Sequence, residues 1–237
     1  MIVPPDGYWP RVQEVLRRNG IRGVWTTNTV AALLGFGMYS SFILIPDFVE
    51  TPERVGYGFG ASVTEAGLFL LPTTVAMLIF GAQTGRLEKR FGSKPPLLAG
   101  ALFASCAFAL LAAFRDESWQ IYLAAFLLGA GIGLAFAAMV NLIIENVGPA
   151  ETGIATGMNT VTRTVGGAFG GAVVASILAG SLGLGGYPSA SGYTAAFAAC
   201  AIVPAFGVLI GFLIPGRRPR DAFEHHEVGD LVEEPSR

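Results

Sequence analysis

Six apolar runs divide the chain, each close to the ~20 helical residues needed to cross a bilayer core. They lie at approximately Val24–Phe48, Thr64–Thr84, Leu97–Phe114, Trp119–Ile144, Gly153–Ser181 and Tyr193–Pro215. In lipid a backbone must satisfy its own polar groups, which leaves helices or a closed barrel. A barrel would need alternating apolar and polar residues in segments of about ten, and no such pattern recurs. The expected fold is therefore all-α: an integral membrane bundle of six transmembrane helices. Composition agrees. The chain is 52% hydrophobic and only 14% charged, whereas soluble domains run near ~25% charged. Its 32 glycines follow no Gly-X-Y period and sit inside the apolar runs, where small residues let helices pack closely.

The positive charges set the expected orientation. Arg11, Arg17, Arg18 and Arg22 precede the first run, Arg86, Lys89, Arg90 and Lys94 lie between the second and third, and Arg217, Arg218, Arg220 and Arg237 follow the sixth. Only Arg54 and Arg115 fall on the other side, leaving Arg163 within a run. The positive-inside rule then puts both termini in the cytoplasm, in an inner or plasma membrane. The polar segment 1–23 has no apolar core before a small-residue cleavage site, so the first run is expected to insert as an anchor. Residues 24–215 form the bundle, and 216–237 an acidic, solvated and disordered tail. Nucleic acid is not an expected partner.

The stretch between the second and third runs reads Gly85-Arg-Leu-Glu-Lys-Arg-Phe-Gly-Ser-Lys94. As a reading of residues, it is a tight, basic, glycine-bounded cytoplasmic loop that sets topology and touches anionic lipid head groups. It also resembles the loop signature of major facilitator superfamily transporters, Gly-x-Leu-x-Asp-Arg-x-Gly-x-Lys/Arg. Gly85, Leu87, Arg90, Gly92 and Lys94 match; Lys89 stands at the Asp position, with Glu88 beside it. Trp25-Thr-Thr-Asn28, Gly67-Leu-Phe-Leu-Leu-Pro72 and Gly157-Met-Asn-Thr-Val-Thr-Arg-Thr-Val-Gly-Gly167 are similar to the carboxyl-terminal half of the fourteen-helix drug/proton antiporter branch. The resemblance implies one six-helix half of a transporter in which two bundles rock about a midplane site. It further implies multidrug efflux, protons as coupling ion, a small amphipathic substrate and a second six-helix half on the same or another chain. It makes Gly85, Arg86, Glu88, Lys89, Arg90, Gly92 and Lys94 a cytoplasmic gating motif. A fragment of a longer transporter, a half-size transporter and a non-transporting membrane subunit or interaction protein all remain open.

Within the runs, polar side chains stand out. Arg163 lies roughly 15 Å from the start of its helix. A cation there needs a partner or a cavity; it either lines the substrate route and contacts an anionic substrate or an acidic residue, with Glu145 the nearest acidic candidate, or holds backbone carbonyls or a lipid phosphate. Asn141, Asn159 and Thr160 must find hydrogen-bond partners in lipid, either across helices or on a substrate. Met38, Tyr39, Phe42, Phe69, Met139 and Met158 offer the soft surface of a multidrug pocket, and each also suits packing or lipid contact. The Arg163, Asn159, Asn141, Met38, Tyr39 and Phe42 set is the expected substrate route. Gly166/Gly170 and Gly167/Gly171 are Gly-x-x-x-Gly pairs, expected either at a partner interface or in packing within the chain.

No nucleophile with a base, metal cluster or phosphate loop is visible, so neither enzymatic activity nor a cofactor is expected. Cys106 and Cys200 read as small core residues. His225 and His226 lack the spaced partners of a metal site.

Overall fold

The computed structural model describes residues 21–146, 152–183 and 186–212, with residues 21–24, 145 and 146 described by their backbone alone. The expectations for the polar segment before Ile21, for the Glu145 side chain, and for the tail with His225 and His226 lie outside the described residues. Six helices follow in order: α1 (Ile21–Glu50), α2 (Val63–Phe91), α3 (Lys94–Ala113), α4 (Ser118–Asn146), α5 (Thr152–Gly180) and α6 (Ala190–Phe212). All six are long and apolar enough to cross a membrane. The chain folds as a multi-pass six-helix bundle.

The helices depart from the apolar runs mainly at their ends. Helix α1 begins at Ile21, inside the segment assigned above to the N-terminal extension. The larger correction concerns the motif. Gly85 through Phe91 is not a loop: it continues α2 for almost two further turns, and only Gly92 and Ser93 separate α2 from α3. Arg86, Leu87, Glu88, Lys89 and Arg90 are all good helix formers, so hydrogen bonding carries the helix past the point where hydropathy falls. Gly85 has open space where a Cβ would sit, and it is not the start of a turn. The turn is made by Gly92, whose φ of 79° suits glycine and whose N–H closes on the Glu88 carbonyl at 2.7 Å. Pro95 and Pro96 then occupy the first turn of α3, where a missing N–H costs nothing. The other end of α2 has a capping box: Ser62 N–H donates to Glu65 Oε2 at 2.8 Å and Glu65 N–H to Ser62 Oγ at 3.4 Å. The α1–α2 connection contains a 3₁₀ turn, Glu53–Val55.

The principal helix contacts are α2 with α4, α4 with α3, α3 with α6, α6 with α1, and α1 with α5. Exchanging α1 with α4, α2 with α5 and α3 with α6 returns the same set. Each triplet has three helices, so α1 and α4 run in opposite directions, and the pattern is that of an inverted-topology repeat. Helices α4 and α1 form the centre, 67% and 56% buried over their most apolar windows, whereas α2 and α5 are 22% and 28% buried. The outer pairs approach through glycines. A Cβ on Gly129 would overlap the Thr73 carbonyl, and one on Gly133 would come within 2.6 Å of the Met77 carbonyl, both on α2. On α5, Gly166 lies against the Ala32 carbonyl and Gly170 against that of Phe36, both on α1. Ala101, Ala104 and Ala107 of α3 are buried in the core together with Leu128 and Ala135 of α4. Cys200 is buried as expected; Cys106 is not a core residue but faces outward from α3.

Candidate functional site

Arg163 sits on the side of α5 that looks toward α1 and α4. Its backbone and stem cross Gly35 of α1 so closely that a Cβ there would lie 2.9 Å from Arg163 Cγ. That glycine lets the side chain pass over α1 toward α4, where the guanidinium carbon stands 4.1 Å from the centre of the Phe136 ring. Arg163 is half-buried. Its Nε is sealed from solvent, and among the described residues it has no hydrogen-bond partner. Tyr39 of α1 lies within electrostatic reach of the guanidinium and rests its ring on Gly167 of α5. Tyr39 and Phe42 are exposed, while Met38, on another face of α1, packs against the core. Arg163 and Tyr39 thus share one groove, and Met38 is not part of it. Met139 and Phe69, candidates for a soft pocket, are buried in packing, Phe69 stacked on Tyr122 at 4.7 Å.

The exposed flank of α5 beside this groove is polar. Thr160 and Thr164 are exposed, and their hydroxyls return to carbonyls of their own helix at 3.1 and 3.0 Å. Hydroxyls and a guanidinium near the middle of a spanning helix suit a water-lined or protein-covered surface better than hydrocarbon. Gly166, Gly167 and Gly170 are buried against α1. They are occupied within this chain, and the free surface of α5 lies instead around Val161, Val165 and Phe169.

Gly171 departs from the expectation that all four glycines act together. It is only half-buried, and a Cβ there would stand 3.2 Å from Ile43 Cδ1, the movable tip of a side chain rather than a backbone atom. Four helical residues turn through about 400°, so each step of four drifts by some 40°. That drift carries Gly171 past the stripe of Gly166, Gly167, Gly170 and Val174 that α5 buries. The Gly167/Gly171 pair is therefore not a backbone contact, and Gly171 lies at the rim of the α1–α5 seam.

Two polar ties close one end of the bundle. Asn159 Nδ2 donates to Asn28 Oδ1 at 3.0 Å, a buried bond between α5 and α1. Asn141 of α4 donates to Glu88 Oε2 of α2. Both asparagines serve helix-to-helix bonding, in two different seams, and Asn159 lies one turn before Arg163 on α5. Lys94 Nζ donates to the Phe212 carbonyl of α6 at 2.8 Å. Of the motif, Arg86, Lys89 and Arg90 are exposed. The carboxylate that reaches inward is Glu88, one residue before the position where the resemblance expects Asp.

The opposite end is capped by the α1–α2 connection. Phe48, Tyr193 and Phe197 cluster there, with Tyr57 stacked on Phe48 at 6.1 Å. Tyr193 donates to Asp47 Oδ2 at 2.5 Å, and Tyr57 donates to the Pro188 carbonyl. Burial, then the nearby Asp47 charge, push the Tyr57 phenol above its usual pKa of 10.0. Arg115 donates to the carbonyls of Leu111, Ala112 and Ala190 and to Thr194 Oγ1, at 2.6–3.2 Å. Burial lowers its pKa, and Asp116 partly opposes this. A cavity of about 400 Å³ opens beside these groups. The sequence reading missed this end, although the run of aromatics from Phe48 to Phe69 was visible.

The model of the Major Facilitator Superfamily matches residues 13–232. The chain is 24% identical over 131 residues to the multidrug transporter protein MdtP of Bacillus subtilis, covering 54% of this chain and 23% of that protein. It is 34% identical over 128 residues to the MFS-type transporter Rv1877 of Mycobacterium tuberculosis, covering 52% of this chain and 18% of the relative. Against the multidrug resistance protein Stp of the same species the identity is 28% over 145 residues, covering 61% and 26%. The matched regions are about a quarter or less of each relative's length. The inverted six-helix arrangement, the motif at the end of α2 and a family match over nearly all the chain lead to one conclusion: the chain belongs to the Major Facilitator Superfamily.

Proposed function

We propose that these six helices form one half of a transporter that exports small amphipathic molecules across the cell membrane, both termini being cytoplasmic and protons moving in exchange. A second six-helix bundle, from the same or another chain, covers the groove between α1, α4 and α5. The observation that carries this reading is the mid-span position of Arg163 beside exposed threonines, on a flank of α5 that the described residues leave uncovered. The motif residues Gly85, Arg86, Glu88, Lys89, Arg90, Gly92 and Lys94 then work as a cytoplasmic gate, with Glu88 as its inward carboxylate. The relatives named as multidrug proteins support efflux, and the resemblance to drug/proton antiporters supports proton exchange.

The test is reconstitution of the chain in proteoliposomes with an imposed pH gradient, following efflux of the anion carboxyfluorescein and of the cation ethidium. In parallel, Thr160→Cys and Thr164→Cys variants, on the exposed flank beside the groove, are oxidised in nanodiscs. Gradient-driven flux together with crosslinked dimers supports two copies as the two halves. Absence of both overturns transport by copies of this chain alone and leaves two readings, a second half supplied by other sequence or a non-transporting subunit.

A further inference from the structure

We propose that Arg163, with Phe136 behind it and Tyr39 beside it, is a binding site for the carboxylate of an aromatic or amphipathic organic anion. The inference names a substrate class for the route proposed above and rests on that reading.

Arginine stays charged under all relevant conditions, and a charge within a span is costly unless it is paired or wetted. Arg163 lies 11 residues into the 29-residue helix α5, roughly 16 Å from its start and over 25 Å from its end. Lipid phosphates are out of reach at that depth. No carbonyl among the described residues accepts from Arg163 Nε. Among the described residues the guanidinium has no hydrogen-bond or ion-pair partner, and its contact is the Phe136 ring at 4.1 Å. The carboxylates of the described spans are elsewhere. Asp47, Glu50 and Glu65 belong to the far end of the bundle, and Glu88 is bonded to Asn141 in the α2–α4 seam. Glu145 is on α4 nine residues beyond Phe136, about 13 Å further along the axis.

Phe136 occupies one face of the guanidinium and leaves the edge free. That edge presents parallel N–H donors matched to the two oxygens of a carboxylate. The sealed Nε makes the site dry on the protein side, which strengthens a charge-assisted pair. Tyr39, 37% exposed, supplies an aromatic wall for the rest of the ligand. The same charge repels organic cations, so this position selects against the cationic class.

The experiment titrates the chain in lipid nanodiscs with 2-naphthoate and with its uncharged isostere 2-naphthamide, with empty nanodiscs as reference. The expected result is saturable naphthoate binding at least tenfold tighter than naphthamide, weakened at least tenfold in Arg163→Gln and less in Arg163→Lys. Equal binding of acid and amide, or binding no greater than in empty nanodiscs, overturns the proposal on the unaltered chain, whether or not a variant folds. A folded Arg163→Gln chain that binds naphthoate unchanged overturns it as well. The two readings fail separately: naphthoate binding without flux of either dye sinks transport by copies of this chain and leaves the site, whereas dye flux without naphthoate binding sinks the site alone.

Discussion

Asn141 of α4 donates its side-chain amide to the carboxylate of Glu88, three residues before α2 ends. The bond joins the motif to the most buried helix of the bundle, in the seam where Gly129 and Gly133 already bring α2 and α4 into backbone contact. Inter-helix bonds of this kind in membranes are worth about 0.6 kcal/mol on average and up to about 1.7. Removing one partner leaves a polar group without its bond, whereas replacing both with apolar groups can be nearly neutral. Glu88→Leu and Asn141→Leu should therefore each destabilise the chain, and the double variant should lose less than their sum. Unfolding in mixed micelles measures the cycle; strict additivity would mean the bond contributes nothing.

Two glycines of α5 should respond in opposite ways to the same change. A Cβ on Gly166 meets the Ala32 carbonyl, a backbone atom that cannot swing aside, whereas Gly157 has open space around it. Gly166→Ala should cost on the order of 2 kcal/mol through overpacking. Gly157→Ala should gain up to about 1 kcal/mol from helix propensity. Equal responses in the same unfolding assay would refute the close α1–α5 approach.

A pH dependence follows from Tyr57, whose hydroxyl donates to the Pro188 carbonyl and whose pKa is raised above 10.0 by burial and by Asp47. A phenol with a raised folded pKa stabilises the fold fully below its unfolded value of about 10, and that contribution disappears as the pH rises through the folded value. At pH 7 Tyr57→Phe should be about 1 kcal/mol less stable than the parent chain. The gap should close as the pH is raised past 10. A gap constant from pH 7 to 11 would show that the hydroxyl is not held protonated by its surroundings.

Much of the fold was legible because spans are set by the length of apolar runs, and the six runs locate all six helices. Their ends were less so. Arg86 to Arg90 are polar but strongly helical, so hydropathy stops α2 at Thr84 while its hydrogen bonds continue to Phe91. Which way a residue faces was harder still. In helices apolar on every side, such as α4, periodicity does not separate the buried Met139 from the exposed Val140. The sequence marks Cys106 and Cys200 alike as apolar-run residues, yet only Cys200 is inward. The small pairs of α5 announced a close contact without naming its partner, which proved to be α1. Nor does spacing alone tell Gly170, pressed on the Phe36 carbonyl, from Gly171 at the rim. Arg163 was conspicuous by its charge, but its ring partner Phe136 was one of 17 phenylalanines, and only the fold brings the two together.

Arg115 carries the last prediction. It follows the end of α3, where two of its bonds go to the final carbonyls of that helix, at Leu111 and Ala112, and its other two reach Ala190 and Thr194 at the start of α6. Those carbonyls concentrate the negative end of the α3 dipole, and each hydrogen bond to a charged donor is worth about 1.5–3 kcal/mol. Helices α3 and α6 exchange with one another under the repeat, so this residue fastens the seam that joins the two triplets. Lysine keeps the charge but has no planar fork to span both helices. Arg115→Gln should raise amide exchange roughly 10- to 100-fold at residues 190–194, equivalent to about 1.4–2.7 kcal/mol of local opening. Arg115→Lys should fall between that variant and the parent, and the α2–α4 seam should exchange as before. Unchanged exchange at residues 190–194 in Arg115→Gln would mean that the aromatic cluster around Phe48 and Tyr193 holds this end without the guanidinium.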